Sequence, residues 1–321
     1  MSTFTTAIGI DFGGTSVKSA VVREGKLIHR GLPIDPQAAT SSDSLLDSLV
    51  ALIAGMRVDF PDIAGVGIGL PGFVDIERGV VHELTNVAGW NDVPLRDILH
   101  QRTGLPVTVE NDANAMAYAE YKYGAARGAR YVVCITLGTG VGGALVLDGH
   151  IFRGAQFAAG EIGHMSIDLH GITGPYGNTG GLEEYVGNVQ IAERAVERYR
   201  AAGQAKSPAE CTPADLSAAA LRGDPVAAQM WDDLAIEIGA ALANVIWIIN
   251  PDTIVIGGGV AKAGPLLFDP IRREIRQRTL ALYHEQLRVV PAELGNDAGI
   301  IGNAILALEA AELFHNAKEI I

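Results

Sequence analysis

Gly9-Ile-Asp-Phe-Gly-Gly-Thr-Ser-Val-Lys18 and Thr136-Leu-Gly-Thr-Gly-Val-Gly-Gly143 decide how this chain folds. Each is a Gly/Thr loop entered from an apolar strand and left through another. Glycine lets such a turn curl with no Cβ in the way, so several backbone N–H groups can converge on one anion. Either loop by itself also reads as an ordinary hairpin turn. Two of them, with Asp11 opening the first, are what a nucleoside triphosphate and its metal require. Gly138 to Gly143 also spells G-x-G-x-x-G, but a dinucleotide-binding turn must open a helix, and Ala144-Leu-Val-Leu147 alternates as a strand. Ile256-Gly-Gly-Gly259 does lie between a strand and a helix-like stretch, which leaves a Rossmann reading a small place. No G-x-x-x-x-G-K-[ST] occurs, so a Walker P-loop is excluded.

The composition narrows the class. With 321 residues the chain is long enough for two domains with their own cores, and 48% hydrophobic residues with 39 glycines point to an α/β protein rich in tight turns. A net charge of −13 without a basic block argues against a nucleic-acid partner. Cys134 and Cys211 cannot build a framework of bridges; Cys134 lies in a strand and reads as a small buried hydrophobe, which suits a reducing, cytoplasmic compartment. The first six residues lack the basic start and apolar core of a signal peptide. The most apolar long run, Leu234 to Ile249, places Leu234, Ile238, Leu242, Val245 and Ile249 at helical spacing before Pro251. It is too short and too interrupted to cross a bilayer and reads as a buried helix between domains, so no membrane partner is expected.

The pattern predicts strands at 7–12, 17–23, 26–32 and 63–70, a helix near 44–56, a hairpin around 73–76 and 80–82, a helix at 94–102 and a strand at 107–109. A helix headed by Glu110-Asn-Asp-Ala-Asn114 then runs to Tyr123. Strands at 131–137, 143–147 and 150–153 repeat the opening plan, with a glycine loop after the first strand in both cases. The chain therefore reads as two related halves. Helices at 186–202 and 225–249, a strand at 253–256 and a final helix at 300–314 follow. The segment 170–181, rich in Gly, Thr and Pro, is the expected functional loop.

Phosphoryl transfer needs a phosphate cradle, an acid for Mg²⁺ and a base near the acceptor hydroxyl. Asp112, after a strand and at a helix start, is the candidate base, because orphan N–H groups there hold a carboxylate in place. By position alone, Asn111 or Asp112 reads equally as a plain helix cap. Glu161 and His164, three residues apart, could share one polyhydroxylated ligand, although a lone His is also a common satisfied core residue. Glu184 reads as a solvated helix residue and Glu183 as ambiguous.

The ordered set DFGGT (11–15), LPG (70–72), ENDAN (110–114), LGTGVGG (137–143), GAQFAAGEIGHMSID (154–168), LEEY (182–185) and IVIGGGV (254–260) resembles the ROK family of repressors, open reading frames and sugar kinases. The resemblance covers nearly the whole chain. It implies an α/β fold of two actin-like ATPase (ribonuclease H-like) domains with a cleft between them, divided as 1–113 plus 303–321 and 114–302. Asp11, Gly13, Gly14, Thr15 and Lys18 then belong to the first phosphate motif, and Gly138, Thr139 and Gly140 to the second. Gly257, Gly258 and Gly259 form the adenosine side. Asp112 would be the general base, with Gly72, Asn111, Glu161, His164 and Glu183 holding the sugar. Asp11 would meet Mg²⁺ through ATP phosphates or water.

The same resemblance implies ATP-dependent phosphorylation of a hexose 6-hydroxyl by a cytoplasmic homodimer of carbohydrate metabolism. Glucose is the first-choice acceptor; N-acetylmannosamine, mannose, fructose and allose are alternatives, and polyphosphate is an open alternative donor. A sugar-responsive repressor of the family is disfavoured because the first strand starts by Ala7, and a non-catalytic sensor because Asp112 and both phosphate loops are intact. One departure stands out. Family kinases carry a structural zinc held by the signature histidine and three cysteines, C-x-C-G-x-x-G-C-x-E. Counting back from Glu183, those cysteine positions hold Gly174, Tyr176 and Gly181. No zinc site is expected, and Tyr176 or His170 is left to orient His164.

Overall fold

The computed structural model describes residues 4–13, 16–84, 87 and 89–319. The chain divides into two compact units, Met1–Gly124 with Arg153–Ala159 and Asn296–Ile321, and Ala125–Phe152 with Gly160–Gly295.

In the first unit, β1 (Thr6–Phe12), β2 (Val17–Arg23) and β3 (Lys26–Arg30) form an antiparallel meander. Helix α1 (Ser42–Asp59), capped by Ser41, carries the chain to β4 (Val66–Leu70), which lies parallel to β1. A small sheet of β5 (Val74–Asp75), β6 (Val80–Glu83) and β7 (Asn91–Val93) follows, then α2 (Leu95–Thr103), β8 (Val107–Asn111) and α3 (Asp112–Tyr123). The main sheet has the order β3-β2-β1-β4-β8.

Side-chain alternation explains what covers each face. Ile8, Ile10 and Phe12 of β1 and Val66, Ile68 and Leu70 of β4 join the apolar core with α1 and α2. The intervening residues are Asp11 and the small Ala7, Gly9, Gly67 and Gly69. That thin face receives the last helix of the chain, which packs on β1 and β4.

The second unit repeats the plan. Strands β9 (Tyr131–Leu137), β10 (Val141–Leu147) and β11 (His150–Ile151) form the meander. After α4 (Glu183–Val186), α5 (Asn188–Ala201), α6 (Pro213–Leu221) and α7 (Pro225–Ile249), strand β12 (Thr253–Gly257) pairs parallel to β9. Helix α8 (Pro265–Arg278) leads to β13 (Arg288–Pro291), giving the order β11-β10-β9-β12-β13. Helix α9 (Ala298–Glu319) then completes the first unit.

Several expectations change. The run Leu234 to Ile249 is part of α7, and Leu234, Ile238, Leu242 and Val245 are buried in the second unit's own core rather than joining domains. The helix expected at 186–202 is α5, which starts at Asn188 because Gly187 turns extended and the Asn188 N–H donates to the Gly138 carbonyl at 2.9 Å; the short α4 ahead of it was not expected. Strand β10 starts at Val141, directly after the glycine turn. The helix-like stretch expected after Gly259 is α8, whose bounds the pattern left open because Pro270 inside it removes a donor and disguises the period of Leu267, Phe268, Ile271 and Ile275. Divisions at 113/114 and 302/303 would cut α3 and α9. The contacts keep both helices whole in the first unit, since Gly302 of α9 lies against the Ala115 backbone of α3.

By length and composition the stretch Gly295–Asn316 could cross a membrane, but 56% of its apolar window is buried inside the fold. The α9 packing tolerates no side chain at the glycines beneath it: a Cβ added at Gly67 would lie 1.8 Å from the Asn303 carbonyl oxygen. Gly67→Ala should therefore cost at least about 2–3 kcal/mol in urea unfolding. Gly55→Ala, on α1 with open space around the added methyl, should instead gain about 0.5–1 kcal/mol.

Candidate active site

In the first unit, β1 ends on Asp11-Phe12 and the chain turns back to β2 at Val17. The Gly13 N–H donates to the Ser16 carbonyl at 3.0 Å. Gly14 and Thr15 lie outside the described residues. Asp11 faces Lys18 across the antiparallel pair. Burial pushes the Asp11 carboxyl above its ordinary range, and the Lys18 ammonium pulls it back. The first turn of α9 closes over this carboxylate: a Cβ added at Gly299 would stand 2.9 Å from Asp11 Oδ1. Only glycine lets the positive end of the α9 dipole come so near.

The segment joining β8 to α3 is fixed by Glu110, which is 2% exposed. Its Oε1 accepts from the Asn111 N–H and from Asn114 Nδ2, both at 3.0 Å. Its Oε2 accepts from Arg153 Nε at 2.8 Å and Nη2 at 2.6 Å. Asn111 caps α3, accepting from the N–H groups of Ala113 and Asn114, while its Nδ2 donates to the Gly72 carbonyl at 3.2 Å. Asp112 is the first helical residue, and its Oδ1 accepts from the Ala113 N–H at 2.8 Å. Gly72, Asn111 and Asp112 are thus brought together. Of the two residues that read as a helix cap, Asn111 is the one that caps α3, and Asp112 follows it as the first helical residue.

In the second unit, Gly138, Thr139 and Gly140 form the turn from β9 to β10, closed by a 3.0 Å bond from the Gly138 N–H to the Gly140 carbonyl. Thr139 is exposed at its tip. Glu183, opening α4, accepts from the Val141 N–H at 2.7 Å, which sets its carboxylate beside the turn. Gly257 ends β12 opposite Thr136. Gly258 follows at φ +87°, where an added Cβ would meet the Leu137 carbonyl oxygen at 2.1 Å. Gly259 then precedes a short 3-10 turn.

Glu161 caps the 3-10 turn 162–164 and His164 ends it, with His164 Nε2 3.8 Å from Glu161 Oε2. Partial burial raises the Glu161 carboxyl above its ordinary range; His164 pulls it down and Glu183 pushes it up. Tyr176, rather than His170, touches the imidazole, edge to face at 5.0 Å and 87°. The His170 N–H closes a turn on Asp168 Oδ1 at 3.0 Å.

The donor sets discriminate between metals. Among the described residues no three His, Cys, Asp or Glu side chains gather. Asp11 as one hard oxygen donor fits Mg²⁺, which binds through one or two carboxylates plus substrate phosphates. Tetrahedral zinc does not fit, since His164 stands alone among the positions that would ligate it.

Sequence reasoning passed over Glu110, Arg153, Gly299 and Asn178. Glu110 carried a signal, a charge at the end of an apolar strand, where acidic residues are depleted. The other three lie too far along the chain from their partners for any local pattern to reveal them.

The family model described as ROK family matches residues 7–310. A glucokinase of Halalkalibacterium halodurans is 35% identical across 97% of this chain and 98% of its own length. A glucokinase of Streptomyces coelicolor is 34% identical across 94% of this chain and 97% of its own. The crystal structure of a ROK family glucokinase from Streptomyces griseus, in complex with glucose and AMPPNP, superposes with a TM-score of 0.77 at 34% identity, covering 95% of this chain and 99% of that one.

Glu110 and Arg153 carry a test of the α3 anchor. Glu110→Gln halves the charge-assisted pairing and should cost about 2–3 kcal/mol in urea unfolding, below the range for a fully buried pair because the Arg153 side chain is 29% exposed. Arg102→Ala, which breaks the exposed pair with Asp47, should cost less than about 1 kcal/mol.

Proposed function

The chain belongs to the ROK family, and on that premise we infer that it transfers the γ-phosphoryl group of ATP to the 6-hydroxyl of glucose. The likeness to glucokinases runs the length of both chains, and the glucokinase structure it superposes on holds glucose with an ATP analogue. The observation that carries the chemistry is Asp112 at the start of α3, next to an Asn111 already joined to Gly72.

In this reading the Asp112 carboxylate accepts the proton of the 6-hydroxyl as that oxygen attacks the γ-phosphorus. The bond from phosphorus to the bridging oxygen breaks, and ADP leaves with the electron pair. General-base assistance of this kind contributes roughly 10²–10⁴ in rate, or about 3–5 kcal/mol of barrier. Asn111, Glu161, His164, Glu183 and the Gly72 backbone orient the pyranose hydroxyls. Backbone N–H groups of the two Gly/Thr motifs, 13–15 and 138–140, would cradle the phosphates, with Thr139 toward the transferring group and Gly257, Gly258 and Gly259 on the adenosine side. Asp11 would hold Mg²⁺ through water or phosphate oxygens, and the bound ion supplies neutralisation of their negative charge. The reading extends to a cytoplasmic homodimer that feeds glycolysis. Cys134 and Cys211, buried and not joined in a disulfide, suit a reducing compartment. The exposed apolar side chains Ile248, Leu280 and Leu282, adjoining the Trp247–Tyr283 ring pair, suit a face covered by a second copy.

A panel of glucose, N-acetylmannosamine, mannose, fructose and allose with ATP and Mg²⁺, read as ADP release, tests the assignment. Glucose should give the highest kcat/KM, and another sugar leading by tenfold would overturn it. Asp112→Asn keeps the shape of the helix start, so folding and glucose binding should survive while kcat falls by about 10²-fold or more.

The acid limb of the pH profile is a further test. A carboxyl with a raised pKa takes up its proton at a higher pH than usual. Glucose KM should therefore climb as pH falls, starting above the ordinary glutamic value of 4.5. Glu161→Gln should raise glucose KM about tenfold at neutral pH and flatten that limb, leaving ATP KM in place.

A further inference from the structure

The segment between His164 and Glu183 is folded back on itself by its own backbone. Ser166 bridges Gly181 and Thr173 bridges Thr179. The Ile167 N–H donates to the Gly180 carbonyl at 2.8 Å and the Leu182 N–H to the Met165 carbonyl at 3.0 Å. The tip, 174–178, is closed by a 2.8 Å bond from the Gly174 N–H to the Asn178 carbonyl. This hairpin returns its tip to its own start and grips His164 twice. Tyr176 sets its ring against the imidazole, and Asn178 Nδ2 donates to the His164 carbonyl at 3.0 Å.

The Asn178 carboxamide sits where two glycines leave room for it. A Cβ added at Gly174 would lie 3.0 Å from Asn178 Oδ1, and one added at Gly181 would lie 3.0 Å from Nδ2. Oδ1 is buried and accepts no hydrogen bond, so the carboxamide is oriented by its single donation. The reverse orientation would set oxygen against the His164 carbonyl oxygen. Gly174 and Gly181 are also two of the three positions at which thiolates would be needed to hold a metal, and neither can ligate one. The carboxamide occupies the space between them.

We propose that Asn178 is a positioning residue that fixes His164 for the sugar, doing by one hydrogen bond what a metal cross-link would otherwise do. The proposal rests on the reading of His164 as a sugar-binding side chain. Loss of the bond frees the His164 backbone and blurs the placement of its ring. The sugar then loses a partner held in advance, while the phosphate turns are untouched.

The test uses the full-length protein. Asn178→Ala, and Asn178→Asp, which keeps the shape but loses the donor, should each raise glucose KM roughly five- to tenfold. ATP KM and kcat at saturating glucose should stay within about twofold. Gly181→Ala should raise glucose KM by pressing on the carboxamide, and that effect should vanish in the Asn178→Ala background. Independently of turnover, the His164 imidazole NMR signal, assigned through His164→Gln, should shift or broaden in Asn178→Ala. Metal analysis of the purified protein should find well under one zinc per chain. Unchanged glucose KM in both Asn178 variants, additive Gly181 and Asn178 effects, stoichiometric zinc, or a loss of Tm with all kinetic constants moving together would each overturn the proposal. Should the wild type not phosphorylate glucose, the functional reading fails, and the His164 signal alone decides the role of Asn178.

Discussion

The carbonyl oxygens of Ile300 and Asn303 lie so near the Cα atoms of Gly9 and Gly67 that no side chain can stand between α9 and the sheet beneath it. Much of the first unit follows from that approach. Asn303, 1% exposed, donates its side-chain amide to the Ile10 carbonyl at 2.9 Å, so the helix is locked to β1 by a buried hydrogen bond as well as by packing. Gly302 brings α3 equally close through the Ala115 backbone. A helix from the far end of the chain thereby sets the depth at which Asp11 sits and the angle at which α3 leaves β8. Because the contact is backbone on backbone, it has little slack, and the residues it positions inherit its rigidity.

Charge is handled by the same economy of space. Glu110 is buried, and its two oxygens accept four hydrogen bonds, two from the start of α3 and two from Arg153. A carboxylate so fully engaged is a peg, and what it holds in place is the start of α3. Glu183 accepts from the Val141 N–H, so one of its oxygens holds the turn between β9 and β10. Glu161 is raised by burial and by Glu183 but drawn down by His164, an arrangement that keeps a titrating carboxyl next to an imidazole.

The sequence by itself determined the features whose causes are local. The antiparallel pairs β1–β2 and β9–β10 lie where the apolar strands put them, and the turn 138–140 joins the second pair because a turn is decided by the φ/ψ freedom of a few adjacent residues. Helix α7 runs as its apolar spacing and Pro251 require, and α3 starts at the Asn111-Asp112 pair because a side-chain oxygen there reaches the next N–H groups. The order of motifs was enough to mark Asp112, Glu161 and His164 as candidates. Tertiary structure alone decided the rest. Helix α8 continues through Pro270 because Leu267, Phe268, Ile271 and Ile275 find a buried face, a gain that no local propensity records. Arg153 reaches Glu110, Gly299 reaches Asp11 and Asn178 reaches the His164 carbonyl only once the chain has folded back. Those pairings are set by close packing between segments distant in the chain, and packing is a property of the assembled interior rather than of any stretch within it.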